Sequence, residues 1–396
     1  MRKRIISISI LLILLLIPFF SWFFWAIQDS KELKVLILDK TVLNKDDQEH
    51  ISLNWVLLHN KFRKENLEDY VPGEDYYGFF PDGEGDYEVH DFNHFSGAQI
   101  DSMANYYNMV YYTDLYGVYV AEWWDAYPQV APKDYTKIPP TERSRLIYGR
   151  LTKTELDLLK EMKKRKKLII TEFNIIALPT RRGVRKAFEN EFGINWSGWV
   201  GRFFNVLDTT KPNELPIWVK RNYVNQYGDW PFKKSGIVYV REDDKIVITE
   251  FETDLLVKVP FIYTPDQYAE RYGIAKKMKY PFWFDICSVD EPNTIISTYK
   301  ITLNERGDSI LRMNNIPSEF PAVVRGDGDY PFFYFAGDFC DNPITVNSAR
   351  FTGLQYVSSF TYNSTADERR SFFWKFYRPL TNTILNDYYK SLNAQN

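Results

Sequence analysis

KLIITEFN, residues 167–174, decides how this chain is read. A basic run ending at Lys167 gives way to Leu168, Ile169, Ile170 and Thr171, and a carboxylate, Glu172, arrives where a strand should stop. A short, continuous apolar run with polar chemistry held back to its carboxyl end is the pattern of a parallel strand buried on both faces. Three other stretches repeat it: VLILD at 35–39, MVYYTD at 109–114 and FFYFAGD at 332–338. In an open parallel sheet, ligands bind in the crevice outside the carboxyl ends of the strands. Asp39, Asp114, Glu172 and Asp338 therefore form the candidate rim of one site. Glu172, Asp114 and Asp338 are the candidate catalytic groups, because burial and like-charge repulsion drive neighbouring carboxyl pKa values apart. Asp39 and Asn174 are candidate ligand contacts. The competing reading for each acid is a cap on the helix that follows its strand.

Working outward, helical periodicity covers 46–64, with Ile51, Trp55, Leu58 and Phe62 on one side, and 154–166. Residues 96–106 form a further helix that Ser96 caps with Gln99 at the third position. The segment 182–192 (RGVRKAFENEF) is a helix closed by Gly193 in the left-handed cap position. Strands and helices alternate, so the expected fold is α/β, a doubly wound and mainly parallel sheet. Residues 70–95, acidic and rich in Gly, Pro and Tyr, read as one long loop. Short strand-like pieces at 194–204, 236–241, 245–249, 255–260, 282–289 and 297–303 predict an antiparallel β extension, with a hairpin turn at Asp243-Asp244. RGDGD at 325–329 is a turn before the last core strand, 332–336, and the tail from 366 to 392 is an amphipathic helix that Pro379 should kink. The expected organisation is an anchor at 1–29, an α/β core at 30–205, a β-rich extension at 206–320, and a final strand and helix at 321–396.

The amino terminus reads Met1-Arg2-Lys3-Arg4 and then runs from residue 5 to residue 27 without a charge. About 20 apolar residues cross a hydrocarbon core, so one transmembrane helix is expected before the sheet. Trp22 and Trp25 suit an interfacial anchor, and the cationic start belongs on the cytoplasmic side, leaving the bulk extracytoplasmic and the protein single-pass. Membrane lipid is thus an expected partner.

Net charge is −3, with no cationic stripe beyond 163–167, and this excludes nucleic acid as a partner. Cys287 and Cys340 stand outside any CxxC pair, as one disulfide or as two buried thiols. His90 and His94 are four apart but in a loop-like context, so no metal and no cofactor is expected. Aromatic residues make up 17% of the chain. Trp196, Trp199, Arg202, Trp218 and Trp230 gather in a stretch that suits either a sugar-binding platform, with Trp199 and Arg202 as ligand contacts, or a buried seam.

With LIITEFN followed by a turn and the helix at 182–192, residues 33–200 resemble the class I glutamine amidotransferase-like fold, a flavodoxin-type sheet. That resemblance implies a nucleophilic Cys flanked by Gly after the strand. This chain has Glu172-Phe173-Asn174 there, so no catalytic residue carries over. The expectation is a membrane-anchored, extracytoplasmic, non-catalytic protein that binds a glycan or a protein partner of an envelope or exopolysaccharide system. The alternative is a carbohydrate hydrolase working through the strand-end acids.

Overall fold

Val35–Asp39 (β1), Tyr77–Pro81 (β2), Met109–Tyr112 (β3), Leu168–Thr171 (β4) and Phe332–Phe335 (β5) lie side by side in a computed structural model, which describes residues 16–46, 48–133, 135 and 144–395. Their spatial order is β2-β1-β3-β4-β5 and every pairing among them is parallel. This is the 2-1-3-4-5 order of flavodoxin-type sheets, in which the strand order reverses between β1 and β3. Every residue of β1, β3, β4 and β5 is buried. Strands buried on both faces need cover on both, which explains their continuous apolar sequences. Cover comes from Ile51–His59 (α1), Gly97–Tyr106 (α2), Lys153–Lys164 (α3), Arg182–Phe192 (α4) and Arg378–Gln395 (α5). Helix α2 packs on α3, and α1 packs on α5.

Antiparallel strands extend this centre to ten. Tyr87–His90 joins outside β2, and Glu319–Arg325, Thr294–Lys300, Phe261–Tyr263 and Lys277–Lys279 follow one another outside β5. A second, four-stranded antiparallel sheet runs Ile246–Glu250, Gly236–Arg241, Ile194–Phe204, Phe284–Val289. The predicted β extension therefore divides. One part forms this separate sheet, and the other completes the edge of the main one.

Several local expectations hold in detail. Ser96 and Gln99 form a reciprocal capping box at the start of α2, Gly193 ends α4 at φ 67°, and Asp244 turns the hairpin at φ 66°. Pro379 has no N–H to give to Lys375 O, and Ala275 N donates to that carbonyl instead at 3.0 Å. A π-helical stretch, Phe373–Tyr377, absorbs the mismatch just before α5.

Others are corrected. The supposed loop at 70–95 contains a core strand, β2, and its hairpin partner. Gly78 and Pro81 disguise β2 in sequence, yet Gly78 sits at φ 143° against the Asp39 carbonyl, where no Cβ fits. The stretch 255–260 is not a strand, and the pairing segment begins at Phe261. Helix α1 is shorter than its periodicity suggests, because Lys61 at φ 54° turns the chain into Phe62–Arg63, a strand paired with Lys31–Glu32.

Residues 5–15 of the expected transmembrane span lie outside the described residues. Residues 16–26 are helical, and no helix among the described residues is long and apolar enough to cross a membrane. Phe19, Phe20, Trp22, Phe23 and Phe24 on it are exposed. Its far end is fastened to the globular body. Ser21 Oγ donates to Thr352 O, Thr352 N donates to Ser21 O, and the buried Trp25 donates from Nε1 to Leu58 O.

Candidate carboxylate site at the sheet edge

The carboxyl end of each core strand delivers its acid to one region, but the four acids do different work there. Asp39 at the end of β1 is fully used by the protein. Its Oδ2 meets His50 Nδ1 at 2.7 Å and accepts from Glu49 N, while Oδ1 accepts from Thr41 N. With His50 Nε2 2.9 Å from Pro72 O, this network holds the turn leading into α1.

Asp114 follows β3 and accepts from Tyr116 N and from the Asn174 side chain. Burial pushes its carboxyl up to about 8 against those two hydrogen bonds. Asn174 stands in the turn after β4 at φ 60°, and its N–H donates to Asp285 Oδ2.

Glu172 points inward. Tyr111 OH donates to its Oε1, and Cys340 N donates to Oε2 at 3.1 Å. Tyr111 in turn lies 2.9 Å from Tyr377 OH, which meets the Cys340 thiol at 3.1 Å. Burial raises Glu172 to about 8 despite these donors. The group chosen first from sequence is thus a polar buckle inside the core, with a donor on each of its oxygens. Both cysteines are free and buried, and His90 and His94 are exposed, His90 beside Glu88.

Glu172 also ties stability to pH. A carboxyl whose folded pKa lies above its unfolded value binds a proton more tightly in the native state. Its contribution is fully present below the unfolded pKa and is lost as pH rises through the folded one. Glu172 and Asp114, each raised to about 8, and Asp285, raised to about 7, all act in this direction. Stability should fall by a few kcal/mol between about pH 4.5 and 8. Glu172→Gln mimics the neutral acid and should flatten that slope. Urea midpoints across the range test it, and parallel slopes for both proteins would refute it.

Asp338, past β5, is the strand-end acid with free capacity. It is 5% exposed, and its Oδ1 meets no hydrogen-bond donor among the described residues. Burial, then Asp341 and Asp114, hold its carboxyl well above the usual range. Two acids that the strand pattern missed join it: Glu49, from the turn before α1, and Asp341, three residues further along. One oxygen from each of the three lies within 4.8 Å of the others. The strand pattern points only to the first acid after each strand, and helical periodicity over 46–64 covers Glu49. Only the spacing of Asp338 and Asp341 could have signalled the group.

Arg369 ties this group to a neighbouring cleft. Its Nη1 donates to Asp341 Oδ2 at 2.9 Å, and its guanidinium lies 3.7 Å from the Phe282 ring centre. Arg202 stacks on Phe282 as well, and on Phe204 and Trp283, and it pairs with Glu214. Its Nε is buried without a partner among the described residues. The cleft encloses about 270 Å³ between Arg202, Phe204, Asn205, Asn213, Phe282 and Arg369. Trp199 corrects the proposed platform: it is 2% exposed, packed in the core with Arg241 over its ring, and offers no face. A larger cavity, about 370 Å³, opens at the amino ends of β4 and β5 beside Tyr388, where none of the strand-end acids reaches.

No protein-family model and no curated protein matches the sequence. Among solved structures, a ThuA-like protein from Bacteroides uniformis is similar over 84% of this chain and 94% of its own, at 10% identity and a TM-score of 0.35. A ThuA-like protein from Parabacteroides merdae is similar over 78% and 79%, at 12% identity and a TM-score of 0.32. Such proteins have a class I glutamine amidotransferase-like fold. At these TM-scores the likeness carries no argument. The strand order and the parallel pairings carry the flavodoxin-type reading instead.

Proposed function

We propose that this chain is a membrane-anchored, extracytoplasmic binding protein for an envelope or exopolysaccharide glycan, working without covalent catalysis. The observation that carries this reading is the cleft beside Asp338 and Asp341, where Arg202 and Arg369 line the walls with Phe204 and Phe282. Guanidinium donors and amide groups beside aromatic rings suit a ligand that presents many hydroxyls. Arg202 Nε, buried and without an acceptor among the described residues, is a donor that such a ligand would satisfy. Glu172, whose oxygens are both engaged internally, supports binding over hydrolysis.

Anchoring is supported by the charge-free run at 5–27 and by the row of exposed aromatic side chains on residues 16–26. Tyr356 and Phe360, 84% and 88% exposed, lie four and eight residues beyond Thr352, which is bonded to Ser21 of that helix. Such rings suit the interfacial zone of a bilayer.

Full-length protein in lipid nanodiscs should retain an envelope polysaccharide in pull-down. Arg202→Ala should weaken retention about tenfold, the effect of removing one well-packed arginine anchor. A wild-type protein that holds no polysaccharide of any charge class would end this reading.

A further inference from the structure

The carboxylates of Glu49, Asp338 and Asp341 come from two separate elements, the turn before α1 and the loop after β5. Three unit negative charges within 4.8 Å repel one another strongly where water is scarce. A fold has two ways to relieve that: keep protons on the acids, or place a cation among them. Hydrogen bonding favours the second. Protons shared within the cluster would pair its oxygens, yet Glu49 Oε2 and Asp338 Oδ1 are both buried with no donor or acceptor among the described residues. Asp338, nine-tenths buried, has no partner for Oδ1 among the described residues, and its backbone is held by Tyr280 OH on its carbonyl and Trp283 O on its N–H. It is a preorganised acceptor with nothing to accept from.

We infer that Glu49, Asp338 and Asp341 form a binding site for a hard divalent cation of calcium size. Calcium–oxygen distances of about 2.3–2.6 Å set ligand oxygens up to about 4.6–5.2 Å apart across the ion, whereas magnesium demands about 4.0–4.2 Å. Oxygens gathered within 4.8 Å of one another fall inside the span that calcium accepts. Arg369 already engages Asp341 Oδ2, so Asp341 would offer the ion its other oxygen, and the guanidinium lowers the net charge of the site. Glu49 and Asp341 are half-buried, which leaves an open side for water or for ligand hydroxyls to complete the coordination shell. The site needs no glycan, so it can be tested separately from the cleft.

The test is calorimetric titration of full-length protein in nanodiscs with CaCl₂ alone, with thermal unfolding alongside and MgCl₂ in a parallel arm. Calcium should bind in the range up to about 1 mM and raise the melting temperature, and magnesium should bind at least about tenfold more weakly. Asp338→Asn should lose calcium binding at least about tenfold and show no rise in melting temperature when calcium is added. If Asp338→Asn does not fold, Glu49→Gln on the half-buried side takes its place with the same expectation. Asp387→Asn, on the surface beside Arg271, should bind as wild type does. No heat and no thermal shift with calcium would overturn the inference and leave protons as the neutralising species. Unchanged calcium affinity in Asp338→Asn and Glu49→Gln would overturn it as well.

Discussion

Gly78→Ala is expected to prevent stable folding, with a loss of at least about 4 kcal/mol, beyond what ordinary substitutions cause. A Cβ built at this position lies 1.6 Å from Asp39 O and 2.7 Å from its carbonyl carbon, and both are backbone atoms that no rotamer change can move. The φ of 143° adds strain of its own, since L residues rarely adopt it. Relief requires β2 to move away from β1. That would break the Leu38–Tyr77 and Asp39–Gly78 pairings and shift the peptide that orients His50 and the turn bearing Glu49. Soluble yield and urea unfolding of the variant check this. A midpoint within experimental error of wild type would show that β2 does not abut Asp39 as described.

The second large effect is expected at Lys40. Its ammonium is fully buried, 2.5 Å from Glu155 Oε1, also fully buried, and it donates to Arg150 O at 2.9 Å beneath the Tyr148 ring. It meets Oε1 as a charge rather than along a well-directed hydrogen bond. Removing one partner of such a pair strands the other charge in a dry interior, so Lys40→Met should destabilise by about 3–5 kcal/mol. Glu155 is also the third residue of the capping box that starts α3, where its Oε2 accepts from Thr152 N, so the damage reaches the helix. The double variant Lys40→Met with Glu155→Leu should recover most of the loss, short of the cap's own contribution of about 1 kcal/mol. Urea midpoints of wild type, the two single variants Lys40→Met and Glu155→Leu, and the double variant give the coupling directly. A single variant as destabilised as the double one would show that the pair acts through packing and not through charge.

These sites show why the fold was more legible than the chemistry. The four apolar runs at 35–39, 109–114, 168–171 and 332–335 announced their strands because burial on both faces leaves no room for alternation. Capping signals at Ser96 and Gly193 are equally local, since each depends on residues no more than a turn apart. Strand β2 escaped because its decisive property is a contact. Gly78 reads as a loop breaker until the Asp39 carbonyl is seen against it. The arrangement of the antiparallel strands escaped for a related reason. Alternation tells which face of a strand is buried but not which neighbour it chooses.

Residue roles at the site depended still more on distant partners. Asp39, Asp114, Glu172 and Asp338 look alike in sequence, each an acid after a strand. His50 and the Glu49 backbone claim the first, Tyr116 and Asn174 the second, and Tyr111 and Cys340 the third. Only Asp338 keeps an unclaimed oxygen, and its companions Glu49 and Asp341 carry no strand signal. The amino-acid order alone thus determined four of the five parallel strands at the centre of the sheet, most of the helices that cover them and the edge where acids collect, because periodicity and capping act over a few residues. Tertiary structure alone decided which of those acids are spent on holding the fold and which remain available, because their partners are distant along the chain, as Cys340 is from Glu172 at 168 residues.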